Sequence, residues 1–73
     1  MKEQIEPQEK FKKFIDESET PDIIKKEVQE TTRVTRGAIS LWYNGKRIPS
    51  NSAQVIINQI AQKYGKDDVY VQQ

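Results

Sequence analysis

The run Val34-Thr35-Arg36-Gly37-Ala38-Ile39-Ser40-Leu41-Trp42-Tyr43-Asn44-Gly45-Lys46-Arg47-Ile48-Pro49-Ser50 decides the fold of this 73-residue chain. It reads as a short capped helix, a glycine stop and a basic turn. The Thr35 hydroxyl can accept a bond from a backbone N–H two or three residues on, as N-cap side chains do. Asn44-Gly45 ends the helix, because glycine enters the left-handed region without a Cβ penalty. Between these signals Ile39 and Trp42 lie three apart and mark an inward stripe. Arg36, Gly37, Ser40 and Leu41 then face outward as a small, mostly polar surface. Such a slim helix suits insertion into a groove of a nucleic acid.

Upstream, Thr20-Pro21-Asp22 starts another helix. It supplies a hydroxyl cap, a proline whose missing N–H is not needed in the first turn, and an acid at the positive end of the helix dipole. This second helix is predicted to run to about Thr31, with Ile24 and Val28 inward and Ile23 partly so. Pro7 opens a first helix of roughly ten residues, on which Phe11, Phe14 and Ile15 share one face. Ser18-Glu19 breaks it, and residues 1–6 are expected to fray. Downstream, Ser50 or Asn51 caps a fourth helix whose inner face is Ala53, Ile56, Ile57, Ile60, Ala61 and Tyr64. Gly65 stops it. Val69-Tyr70-Val71 is β-branched and aromatic, the composition of a short strand. A strand that short needs a partner, either its counterpart in a second subunit or a nearby hairpin strand. The expected architecture is therefore mainly α: a single four-helix domain over 1–73, with 66–73 as a C-terminal strand or dimerisation tail.

Composition narrows the chemistry. The chain has no cysteine and no histidine, which excludes a disulfide framework and removes the side chain most used for proton transfer near neutral pH. Both absences argue against an enzyme, and no cofactor or metal is expected. Asp67-Asp68 has no third ligand in view, so it reads as a solvated turn. With no long apolar run, a soluble cytoplasmic protein is expected.

Net charge is +1, but it is unevenly spread. Residues 1–30 hold nine acids against six lysines, residues 31–66 hold six cations (Arg33, Arg36, Lys46, Arg47, Lys63, Lys66) and no acid, and Asp67-Asp68 follow. An acid-free middle is the electrostatic footprint of a protein that binds a polyanion.

The stretch from Arg36 to Pro49 resembles the recognition helix and following turn of the phage repressor and Cro-type (Xre-like) helix-turn-helix proteins. The shared pattern is a β-branched residue, a hydroxyl cap, a buried isoleucine, a tryptophan three on, then Asn-Gly-Lys-Arg and a proline. Two positions depart from it. Gln29 stands where the family usually has alanine and Arg33 where its turn has glycine, so the length and angle of the turn are left open. The family's fifth helix is also replaced by the Val69-Tyr70-Val71 tail. The resemblance implies binding of duplex DNA by a homodimer, to regulate transcription in a phage, plasmid or bacterial setting, with a nucleoid-associated location. Carried over by position, Arg36, Gly37, Ser40 and Leu41 would face base edges. Thr35, Tyr43, Asn44, Lys46, Arg47 and Ser50 would touch phosphates, with Tyr43 equally placed for packing.

The residues support those roles chemically. An arginine in the first helical turn can hold guanine O6 and N7 bidentately, a contact worth about 1–3 kcal/mol of discrimination. Ser40 and Leu41 offer a hydroxyl and an apolar contact to a thymine methyl. Lys46 and Arg47 neutralise phosphates and release counterions. The expected function is a repressor-type regulator on an inverted-repeat operator. The alternatives are an antitoxin or antirepressor that uses helix 51–64 and the terminal strand to bind a protein, and an excision-type accessory factor that bends DNA.

Overall fold

A computed structural model describes residues 7–70. The expected fraying of 1–6 and the strand position Val71 lie outside them. Four helices form in the order α1 (Pro7–Asp16), α2 (Pro21–Thr32), α3 (Arg36–Tyr43) and α4 (Asn51–Lys63). α1 packs chiefly on α3 and α2 on α4, while α2 also touches α1 and α3. One core results, built from Phe11, Phe14, Ile15, Ile24, Val28, Ile39, Trp42, Ala53, Ile57, Ile60, Ala61 and Tyr70. Phe11 and Trp42 meet edge to face, with ring centroids 5.9 Å apart and planes at 85°, the arrangement that the quadrupoles of two aromatic rings favour.

The helix ends follow from their local residues. Thr35 and Ser50 are extended (ψ 161 and 164), and their hydroxyls accept from the Ala38 and Ala53 N–H at 3.1 and 3.3 Å. Thr20 departs from the expected cap: its ψ is 67 rather than extended, and no side-chain cap bond forms. Pro21 still fills the first turn, where its missing N–H leaves nothing unsatisfied. At the C-termini of α3 and α4, Gly45 (φ 74) and Gly65 (φ 75) are left-handed. In each case the glycine N–H and the next N–H close back on the helix: Gly45 on Trp42 and Lys46 on Leu41, Gly65 on Gln62 and Lys66 on Ala61. These paired closures satisfy carbonyls that would otherwise be orphaned. Gly45 is doubly constrained, since a Cβ there would also lie 3.3 Å from the Gln8 carbonyl oxygen.

Two expectations about faces are corrected. Ile23 is 59% exposed rather than partly inward, because it sits about a hundred degrees around the helix from Ile24. Tyr64 leaves the core face of α4 and donates its hydroxyl to Glu27 Oε1 at 2.7 Å. The C-terminal segment makes no strand among the described residues. Val69 and Tyr70 instead turn back onto the core, where Tyr70 is buried. Asn58, also buried, acts as a surrogate strand there. Its Nδ2 donates to the Tyr70 carbonyl (2.6 Å) and its Oδ1 accepts from the Tyr70 N–H (2.8 Å). Both backbone groups of Tyr70 are thus satisfied within the chain, as buried backbone groups require.

Candidate nucleic-acid interface

α3 is held by its ends and its inner face. Ile39 and Trp42 are buried, the Thr35 cap closes the start, and Gly45 closes the stop. A helix of eight residues would not persist alone in water, so these anchors determine where it points. α2 and α3 are joined by residues 33–35 only. Arg33 makes so short a turn workable by adopting the left-handed conformation (φ 59), and its N–H bonds to the Gln29 carbonyl at 2.9 Å. The arginine therefore does what a glycine would do more cheaply at this position.

The expected base-facing residues come together. Arg36, Gly37, Ser40 and Leu41 are all exposed, Leu41 at 37%. Gly37 is informative because the fold does not require it. Its φ lies outside the left-handed region, and an added Cβ would meet only Thr35 Oγ1, at an ordinary 3.7 Å. Lys46 and Arg47 are exposed in the turn after α3, and no carboxylate among the described residues pairs with them.

The expected phosphate-facing residues divide. Thr35 and Ser50 use their oxygens as cap acceptors, but a hydroxyl keeps its proton free to donate outward. Asn44 donates from Nδ2 to Ser40 Oγ at 3.2 Å, which ties one expected contact residue to another. Tyr43 is committed inside the chain. Its hydroxyl donates to Asp16 Oδ1 at 2.6 Å, and the Lys12 and Lys25 ammonium groups lie 4.9 and 4.7 Å from its ring centroid. Lys12 also pairs with Asp16 at 2.7 Å. The Lys12 bond, with help from Tyr43, holds the Asp16 carboxyl below its ordinary value. This cluster fastens the end of α1 to α3 and gives Tyr43 a packing role within the chain. On the opposite side, Lys63 pairs with Glu27 at 2.8 Å, and the Lys63 and Tyr64 bonds lower the Glu27 carboxyl.

Charge along the chain does not translate directly into charge in space. A groove of about 630 Å³ between α2 and α3 is lined by Lys25, Lys26, Arg36, Ser40 and Tyr43, but also by Asp22 and Glu30. Two carboxylates from the acidic third therefore flank the acid-free helix. The sequence signal that could have placed them is the i, i+4 spacing of Asp22, Lys26 and Glu30, which assigns them to one stripe of α2. Val69 is half-buried and Tyr70 buried against their own domain. No helix among the described residues is long and apolar enough to cross a membrane. Comparison of the chain with protein-family models, with curated proteins and with solved structures finds no match.

Proposed function

We propose that this chain is a sequence-specific binder of double-stranded DNA that lays α3 in the major groove and acts as a repressor-type regulator. The observation that carries the reading is the division of α3 into two sides. Ile39 and Trp42 anchor it inward, and Thr35 and Gly45 hold its ends. Arg36, Gly37, Ser40 and Leu41 are exposed on the other side, beside Lys46 and Arg47, which no carboxylate among the described residues pairs with. The α2–turn–α3 arrangement is then a helix-turn-helix with Arg33 in the place of the turn glycine. Arg36 reads a guanine, Leu41 meets a thymine methyl, and Lys46, Arg47 and the Thr35 and Ser50 hydroxyls hold phosphates. Working as a homodimer, the protein places two such helices about 34 Å apart on an inverted repeat.

Selection of bound duplexes from a random pool, at stated salt, tests this reading. A palindromic consensus is expected, with log affinity falling against log salt by about 0.9 per phosphate neutralised. Arg36→Ala should relax preference at one base pair per half-site, whereas Lys46→Ala should weaken all sequences alike and lower the slope by about one unit. No enrichment at low salt would reject DNA as the ligand.

A further inference from the structure

The residue that ends α3 holds one of the helix's outward side chains at two points. Asn44, the C-cap, donates its backbone N–H to the Ser40 carbonyl at 2.9 Å and its Nδ2 to Ser40 Oγ at 3.2 Å. Residues four apart are neighbours on a helix surface, so the side-chain bond closes across a single turn. Both residues are exposed. Serine and threonine inside a helix often turn the hydroxyl back to the carbonyl four residues earlier. Thr32 does so, donating to the Val28 carbonyl at 2.6 Å. Ser40 does not: its oxygen accepts from Asn44, and among the described residues its proton is donated to nothing. A hydroxyl has one proton and two lone pairs. With an N–H of Asn44 directed at Oγ, that proton is turned away from Asn44. Accepting one bond also polarises the hydroxyl and makes it the stronger donor in the next.

We propose that Asn44 is a positioning residue that sets Ser40 as a hydrogen-bond donor toward a base edge, so that Ser40 selects a base acceptor, guanine above all, and disfavours cytosine. This rests on the reading of α3 as the helix laid in the major groove, and it fixes the polarity of one contact within that reading. In the major groove guanine offers O6 and N7 as acceptors, adenine N7 and thymine O4, whereas cytosine offers only its N4 amino donor. Ser40 stands one turn beyond Arg36 on the same side of α3, so the pair it selects neighbours the one that Arg36 reads. Asn44 acts through Ser40 and not on a phosphate, the role that the resemblance implies for it.

Selection of duplexes from a random pool with the full chain and three variants tests it, with helical circular dichroism confirming that each variant folds. Ser40→Ala and Asn44→Ala should lose preference at the same single base pair, by roughly 2- to 10-fold in Kd, as expected for one hydrogen bond. Asn44→Asp reverses the polarity. Its carboxylate only accepts, so the Ser40 proton turns toward it and the hydroxyl shows lone pairs to the groove. Preference at that pair should then move to a base with an amino donor, cytosine first, on top of a weakening common to all sequences. Asn44→Asp is nearly isosteric, so it remains decisive if Asn44→Ala fails to fold. Asn44→Ala with an unchanged consensus and a salt slope lower by about one unit would make Asn44 a phosphate contact and overturn the proposal alone. So would an Asn44→Asp consensus identical to that of the unaltered chain. Unaltered protein that enriches no sequence at low salt would overturn the DNA reading and this inference together.

Discussion

Gly37 separates what the fold needs from what a ligand needs, and Gly37→Ala exploits that separation. Glycine in a helix is destabilising relative to alanine by about 0.5–1 kcal/mol, mainly through backbone entropy. Nothing in the structure offsets that penalty: the residue is exposed, its φ is not left-handed, and an added Cβ meets only Thr35 Oγ1 at 3.7 Å. The substitution should therefore stabilise the protein. The gain belongs at the lower end of that range, because position 37 is in the first turn of α3, where helical constraint is weakest. For a domain of this size about 0.5 kcal/mol corresponds to a rise in Tm of roughly 2–4 °C. Binding should move the other way. If the backbone of α3 packs directly on the base edges, a methyl group forces the helix outward and disengages Arg36, a contact worth about 1–3 kcal/mol, or roughly 5- to 150-fold in Kd.

The assay pairs thermal melting, followed by helical circular dichroism, with fluorescence anisotropy on the selected duplex. A variant that is more stable and binds more weakly shows that the glycine is kept for a close approach from outside the chain. An unchanged Kd alongside a raised Tm would refute the close approach. A lowered Tm would refute the account of position 37 itself.

Other perturbations address the turn, the tail and the ionic ties. Arg33→Gly should raise Tm by relieving a left-handed arginine, a strain of about 1–2 kcal/mol partly offset by the greater entropy of the unfolded glycine chain; Gly45→Ala should lower it by a comparable amount, and opposite signs in one melting series are the check. Asn58→Ala should free the C-terminal segment, because leaving the buried Tyr70 N–H and carbonyl unpaired costs about 1–3 kcal/mol each and undocking is the cheaper outcome; hydrogen exchange confined to 66–70 would report it. Asp16 and Glu27 titrate below their ordinary values of 3.8 and 4.5, so their contribution is complete above those values and disappears as pH falls through the lower folded ones. Acid melts of Asp16→Asn and Glu27→Gln should accordingly lose part of the wild-type fall in Tm below about pH 4. Burial alone pushes the Tyr70 hydroxyl up to about 12, so the docked tail is favoured below the ordinary value of 10 and lost as pH rises toward 12. Tyrosinate absorbance should show that late titration, and Asn58→Ala should bring it back toward 10.

What could be read in the sequence was local. Thr35 and Ser50 each sit immediately before a helix, Gly45 and Gly65 immediately after one, and the Phe11, Phe14 and Ile15 stripe repeats within two turns; each carries its structural consequence within a few residues. What the sequence left open or misplaced depends on distant partners. Tyr43 finds Asp16 across 27 residues and Tyr64 finds Glu27 across 37, and no periodicity announces such pairs. Val69-Tyr70-Val71 has strand composition, yet Asn58 supplies at Tyr70 the hydrogen bonds a neighbouring strand would have made. Thr20 has the right side chain for a cap but the wrong ψ, and backbone dihedrals at a loop are set by what the loop connects. The acid-free middle was legible as charge, whereas Asp22 and Glu30 reach α3 only through the packing of α2.

The same packing sets the direction from which a polyanion can approach. Carboxylates at Asp22 and Glu30 border Arg36 on the α2 side and partly offset Lys25, Lys26 and Arg36, which line the same groove, so the attraction for a phosphate chain is weakened there. Lys46 and Arg47, with no carboxylate partner among the described residues, lie beyond the opposite end of α3. On the DNA reading proposed above, a duplex is therefore drawn more strongly to the turn that follows α3 than to the groove beside it. Glu30→Gln removes one carboxylate without adding a cation. It should tighten binding to all duplexes by a few-fold at low salt, and the gain should fade as the Debye length shrinks from about 10 Å at 0.1 M salt toward 3 Å at 1 M. A gain confined to one DNA sequence, or one indifferent to salt, would mean that Glu30 acts by contact with a base rather than through its field.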